Sequence, residues 1–98
     1  MRKFTDNPAR WRGVPINHLD DPALELAYRR NLAAMIEAQV LSPHMAEYNL
    51  TMTRINACMT VEMNNRGLPL ASEEMMMIHY QAVEREAERR ARNLAGII

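Results

Sequence analysis

The amino-acid sequence predicts an all-α fold, a small three-helix bundle preceded by an extended N-terminal arm. Two observations predict it. Apolar residues recur every three or four positions over residues 20–98, and Asp21-Pro22, Ser42-Pro43 and Asn65-Arg66-Gly67 divide this stretch into three helix-length segments. Ninety-eight residues are enough for one domain with a single hydrophobic core. We therefore assign residues 1–19 to the arm and residues 20–98 to one helical domain.

The arm contains prolines that exclude a regular helix. Pro8 and Pro15 fix their own backbone and disfavour the helical conformation in the residue before them, and Gly13 lies between them. We expect the arm to lie extended across the helices and to cover part of the core with four apolar side chains, Trp11, Val14, Ile16 and Leu19. The alternative is an arm that becomes ordered only when a partner binds.

The first helix is predicted over about residues 22–41. Asp21 is expected to be its N-cap, because a carboxylate there accepts a hydrogen bond from an amide of the first turn, and Pro22 suits the first helical position. One face of this helix is apolar, and its expected core residues are Leu24, Tyr28, Leu32, Met35, Ile36 and Val40.

The second helix is predicted over about residues 43–65, with Ser42 as its cap and Pro43 at its first position. Gly67 is expected in the left-handed conformation that ends many helices. The spacing of three and four residues is typical of antiparallel packing in a bundle. The expected inward residues are Met45, Tyr48, Met52, Ile55 and Met59.

The third helix is predicted over about residues 73–95, capped by Ser72, with Glu73 and Glu74 in the first turn, where the helix dipole favours acids. Its expected inner stripe is bulky in the first half and rich in alanine in the second. The second half either packs very closely against the bundle or projects from it with little loss of buried apolar surface. The stripe comprises Met76, Tyr80, Val83, Ala87, Ala91 and Leu94.

The residue types and their spacing favour no catalytic, cofactor or metal site. The histidines at 18, 44 and 79 have no ligand-type spacing to one another or to Cys58, and the three glycines do not form a phosphate-binding loop. We expect Cys58, the only cysteine, to be a buried thiol of a reducing compartment. No stretch approaches 18 consecutive apolar residues. We therefore expect a non-enzymatic, cytoplasmic protein that does not enter a membrane.

The remaining features are typical of a protein that binds other proteins. Arginine makes planar, two-pronged contacts with carboxylates and phosphates, and methionine-rich surfaces adapt to a partner. The Leu68-Pro69 bond lies in a loop, where such bonds sometimes populate the cis form, although a trans proline that simply separates two helices is also consistent with the sequence. The expected partner-binding residues are Arg10, Trp11, Arg12, Arg66, Leu68, Pro69, Leu70, Arg89 and Arg92.

Two other functions remain open. One is a self-assembling helical scaffold, in which the methionine stripes pair between copies of the chain. The other is a weak DNA-binding regulator with the second helix as its recognition helix. The net charge is zero, and Arg54 is the only arginine or lysine of that helix, so phosphate contacts would be poor. Direct binding of nucleic acid is therefore the less favoured alternative.

Three segments carry a resemblance to a known family. They are Trp11-Arg12-Gly13-Val14-Pro15-Ile16, Leu19-Asp20-Asp21 and Glu86-Ala87-Glu88-Arg89-Arg90. Here the chain resembles small accessory proteins from the recombination-linked early regions of lambdoid phages of enteric bacteria, a group that includes anti-RecBCD proteins. The resemblance implies a non-enzymatic protein that binds the host RecBCD nuclease and helicase in the host cytoplasm and inhibits or modulates it. It also implies that a host prolyl isomerase acts on an exposed proline, for which we select Pro69.

Overall fold

The predicted all-α bundle is confirmed by the structure, a computed structural model that describes residues 10–97. Its three helices are α1 (Asp21–Leu41), α2 (Ala46–Asn65) and α3 (Glu73–Ile97). The predicted arm begins at residue 1, and its residues 1–9 lie outside the described part of the chain.

Helix α1 is the centre of the bundle, because both other helices pack against it and make little contact with each other. The Asn31 side chain of α1 donates a hydrogen bond to the Met52 carbonyl of α2, while Asp21 contacts Arg66, so α2 runs antiparallel to α1. Tyr28 and Gln39 of α1 contact Ala71 and Tyr80, so α3 runs parallel to α1.

The core is built mainly from the predicted apolar face of α1. All six predicted core residues of this helix are buried or packed against the core, which confirms the 3.6-residue pattern there. Val83 of α3 and Ile16 of the arm complete a single hydrophobic cluster with two methionines of α2. The most deeply buried apolar members are Leu24, Ile36, Met59 and Met63.

The predicted inward face of α2 is wrong in its first turns. Met45 is 45% exposed and Tyr48 is 44% exposed, whereas Met63, outside the predicted set, is buried. The physical reason is that α3 packs on α1 and leaves the beginning of α2 uncovered. The second half of α3 also leaves the bundle, because Ala91 and Leu94 are exposed.

The N-cap of α1 is Asp20 and not the predicted Asp21. Its Oδ1 accepts a hydrogen bond from the Ala23 amide at 2.9 Å, and Asp21 is the first residue of the helix. Pro22 is therefore the second residue of the helix and not, as predicted, the first. Proline is tolerated there because the amides of the whole first turn lack partners within the helix. Asp21 is therefore available for a contact with Arg66.

The predicted cap at Ser42 is also wrong. Ser42 ends α1, with its amide bonded to the Ala38 carbonyl, and α2 begins only at Ala46 without a side-chain cap. The Met45 amide donates to the Ser42 carbonyl at 3.1 Å and closes a turn in which Pro43 has the second position. Proline is favoured there because its fixed φ suits a turn as well as a helix start.

The two other predicted terminal signals are confirmed. Gly67 has a φ of +69°, and the amides of Gly67 and Leu68 donate to the carbonyls of Asn64 and Met63, which is the paired hydrogen bonding of a Schellman motif. The Ser72 Oγ accepts a hydrogen bond from the Met75 amide at 3.1 Å at the start of α3.

The described part of the arm is more structured than a simple extended segment. Strands β1 (Arg10–Trp11) and β2 (Val14–Pro15) form an antiparallel hairpin. Arg12 and Gly13 make its two-residue turn with φ values of 52° and 83°, as the right-handed twist of a hairpin requires. A 3-10 turn over Ile16–His18 follows and packs against α2.

We expect Ile36→Ala to lower the free energy of unfolding by about 2–5 kcal/mol, because Ile36 is 1% exposed and its truncation leaves a cavity. Leu26→Ala in the same helix is the control. Leu26 is 49% exposed, and we expect a change within about 0.5 kcal/mol. Urea denaturation followed by circular dichroism measures both. Equal losses in the two variants would contradict the assigned core.

Candidate protein-binding site

The arm, the start of α1 and the end of α2 are held together by Arg66. Its Nε donates to Glu62 at 2.9 Å, its Nη1 donates to the Leu19 carbonyl at 2.6 Å and to Asp21 at 3.0 Å, and its Nη2 donates to the Asn17 carbonyl at 3.3 Å. Hydrogen bonds with Glu62 and then Asp21 raise the Arg66 pKa. The sequence prediction placed Arg66 in a partner surface; the structure places its guanidinium in contacts within the chain.

The loop between α2 and α3 is anchored at both ends. The Schellman motif fixes its first residues, and the Ala71 amide donates to the Tyr28 hydroxyl of α1 at 3.2 Å. Leu68 packs against the core, whereas Pro69 and Leu70 are exposed. The peptide bond before Pro69 is trans. Of the predicted loop residues, Pro69 and Leu70 are thus presented to solvent from a fixed backbone.

An apolar groove of about 560 Å³ lies beside this loop, between α1 and the first turns of α3. Its inner surface comes from core residues of α1 and from Met63. Its α3 side carries Met75, which is 63% exposed, and Ile78, which is 57% exposed. Pro69 and Leu70 also line it. Two predicted loop residues therefore belong to a larger concave surface.

Three polar side chains line the same groove, and sequence reasoning missed them as site residues. Arg29 is exposed and forms no ion pair within the described part of the chain, and Glu25 lies one turn before it. The Nε2 of His79 is shielded from solvent and has no hydrogen-bond partner among residues 10–97. The sequence did contain a signal for an exposed apolar surface on α3. Met75, Met77 and Ile78 are apolar but lie outside the predicted inner stripe of that helix.

The predicted arm residues divide into an anchor and two exposed cations. Trp11 is half-buried and packs against the core. The guanidinium of Arg12 lies 5.6 Å from the centre of the Trp11 ring, a cation–π distance, and Arg10 donates to the Gly13 carbonyl at 3.1 Å. Trp11 therefore holds the hairpin on the bundle, while Arg10 and Arg12 remain exposed on it.

The predicted residues Arg89 and Arg92 lie on a separate surface. They are exposed on the projecting half of α3, about 24 Å or more along the helix from its start. Hydrogen bonding from Arg89, with a smaller contribution from Arg90, lowers the pKa of Glu86 to about 2. Arg89 is thus engaged with its own helix, and these arginines do not join the groove.

The comparisons with known proteins identify no family for this chain: no family model, no curated protein and no solved structure matches it. Among residues 10–97, no helix is long and apolar enough to cross a membrane. No group of three or more histidine, cysteine or acidic side chains in that range is arranged to hold a metal ion.

We expect Arg66→Lys to release the arm and lower the melting temperature, because one ammonium group does not reproduce the directed contacts of the guanidinium with Glu62, Asp21 and two carbonyls. Trp11 is the only tryptophan, so a red shift of its fluorescence reports exposure of the arm. Arg54→Lys, at an exposed position of α2, is the control and should change neither quantity. Identical spectra and melting temperatures for both variants would contradict this role of Arg66.

Proposed function

We propose that this protein is a non-enzymatic phage protein that binds the host RecBCD complex in the host cytoplasm and inhibits or modulates its nuclease and helicase activities. The observation that carries the binding role is the apolar groove beside the anchored loop that presents Pro69 and Leu70. The resemblance to lambdoid-phage accessory proteins supplies the identity of the target.

The groove supports a binding role because its apolar side chains are exposed where they serve no packing within the chain. Met75 and Ile78 of the groove are each more than half exposed, and they lie within one turn of α3. Contiguous apolar surface of this kind marks interaction sites in soluble proteins. The unbranched, polarizable methionine side chain adapts its shape to a partner.

The polar groups support binding better than catalysis. Nucleophilic or acid–base catalysis needs groups that activate one another through hydrogen bonds. The Nε2 of His79 has no such partner within residues 10–97. Glu25 and Arg29 are disposed to meet charges of a bound surface, which supports a non-enzymatic role.

We expect the tagged protein to retain purified RecBCD at moderate salt and to lower its nuclease activity on linear duplex DNA in proportion to the fraction bound. Met75→Asp should weaken binding by about tenfold or more, because it places a charge on the groove surface. Val61→Asp, at a 59% exposed position of α2 outside the groove, is the matched control and should bind normally. Failure of the wild-type protein to bind RecBCD would contradict the proposed target.

We further propose that a host prolyl isomerase acts at the Leu68-Pro69 bond. Pro69→Ala should keep the helix content, because Pro69 is exposed and lies outside the helices, and should weaken binding of the isomerase measured by calorimetry. Pro43→Ala, at another exposed proline between helices, is the control. Equal isomerase binding by wild type and Pro69→Ala would exclude Pro69 as the site.

The two alternative functions give different outcomes in solution. A self-assembling scaffold would show a molar mass that rises with concentration in light scattering, and a concentration-independent monomer would exclude it. A DNA-binding regulator would retard DNA in a gel, with an affinity that falls steeply with salt. Arg54 is the only arginine or lysine of α2, so this helix offers few contacts to DNA phosphates.

A further inference from the structure

We propose that the groove between α1 and α3 receives an amphipathic α-helix of the partner protein, and that this helix places a carboxylate against Arg29. The inference rests on the proposed binding function and specifies the chemistry of the bound segment. Three features of the groove lead to it, namely its helical walls, its length and the unpaired Arg29.

The walls of the groove favour a helix over an extended peptide. Both long walls are α-helices, α1 and α3, whose interior backbone amides and carbonyls are already paired within each helix. An extended segment would lose hydration of its own backbone there and would find no strand to pair with. A helix enters with its backbone hydrogen bonds already made.

The length of the groove suits a short helix. Its lining on α1 runs from Glu25 to Ile36, which corresponds to about 16 Å, or three turns, of helix. Because α3 runs parallel to α1, the two walls follow the same direction along this length. A helix of about 11 residues therefore covers the groove, with apolar side chains at positions i, i+3 or i+4, and i+7.

The polar groups add a charge requirement. Arg29 lines the groove, is exposed and has no ion-pair partner in the described chain. A carboxylate on the bound helix accepts hydrogen bonds from the Arg29 guanidinium and so pairs this charge. Glu25, one turn earlier on α1, repels that carboxylate and restricts it to the Arg29 end.

The experiment that tests this proposal is a selection from a displayed library of random peptides of about 16 residues, sorted against the intact protein at physiological salt. Such peptides are long enough to form the required three turns. We expect the recovered sequences to share an apolar period of three to four residues and an aspartate or glutamate in a common register. Failure to enrich any sequence, or recovery of alternating or basic sequences, would overturn the proposal.

Two substitutions of exposed alanines locate the binding surface. Ala82→Arg places a long side chain in the groove, whereas Ala57→Arg makes the same change on α2 outside it. We expect the selected peptides to bind Ala82→Arg at least about tenfold more weakly and Ala57→Arg normally. Arg29→Glu should reverse the preference from the acidic peptide to its lysine counterpart. Equal binding of the peptides by wild type and Ala82→Arg would place them elsewhere and overturn the proposal.

The same variants separate this inference from the proposed target. If wild type and Ala82→Arg bind RecBCD equally, the groove is not the docking site and the inference fails, while RecBCD stands as the target. If wild type selects acidic amphipathic helices through the groove but does not bind RecBCD, the target fails and the inference stands.

Discussion

The arrangement of the whole molecule depends on the burial of α1 between two neighbours. Asn31 lies fully buried on this helix, and its Nδ2 donates to the Met52 carbonyl of α2 at 3.2 Å. Its Oδ1 has no partner within the described residues, so the position already carries a desolvation cost. The buried amide links α1 to α2, and the apolar side chains of the core cluster stabilise that contact.

The groove is a consequence of the same arrangement. In a closed three-helix bundle each helix covers part of the other two. Here α2 and α3 both pack against α1 and make little contact with each other. Helix α2 ends near the start of α1, and residues 66–72 connect it to α3 at that end of the bundle. Helix α3 therefore begins beside Tyr28 and runs parallel to α1. The outer side of its first turns therefore stays uncovered. Met75 and Ile78 are exposed because of this topology, although a core would also accept their side chains.

The sequence was sufficient to predict the fold class, because the three helical segments show their periodicity and stop signals locally. Gly67 and Ser72 were predictable for the same reason. Asp20 and Asp21 are adjacent acids that both suit an N-cap, and it is the structure that places Asp20 at the cap and Asp21 against Arg66. The site was less predictable. Pro69 and Leu70 were predictable as binding residues because they lie in an apolar loop between helices. That they line one groove with residues of α1 and α3 depends on contacts between residues distant in sequence, which helix periodicity does not encode.

Preorganisation connects this fold to a binding role. A small protein has little surface with which to hold a large complex, so the entropy lost by ordering its own groups on binding decides much of the affinity. Here that cost is largely met during folding. Arg66 joins the arm to the ends of α1 and α2, Gly67 closes the end of α2, and Ala71 bonds to Tyr28. The loop backbone is therefore held at both ends before a partner arrives. The methionines of the groove keep their side-chain freedom, so the surface combines a fixed backbone with side chains that adjust to what they contact.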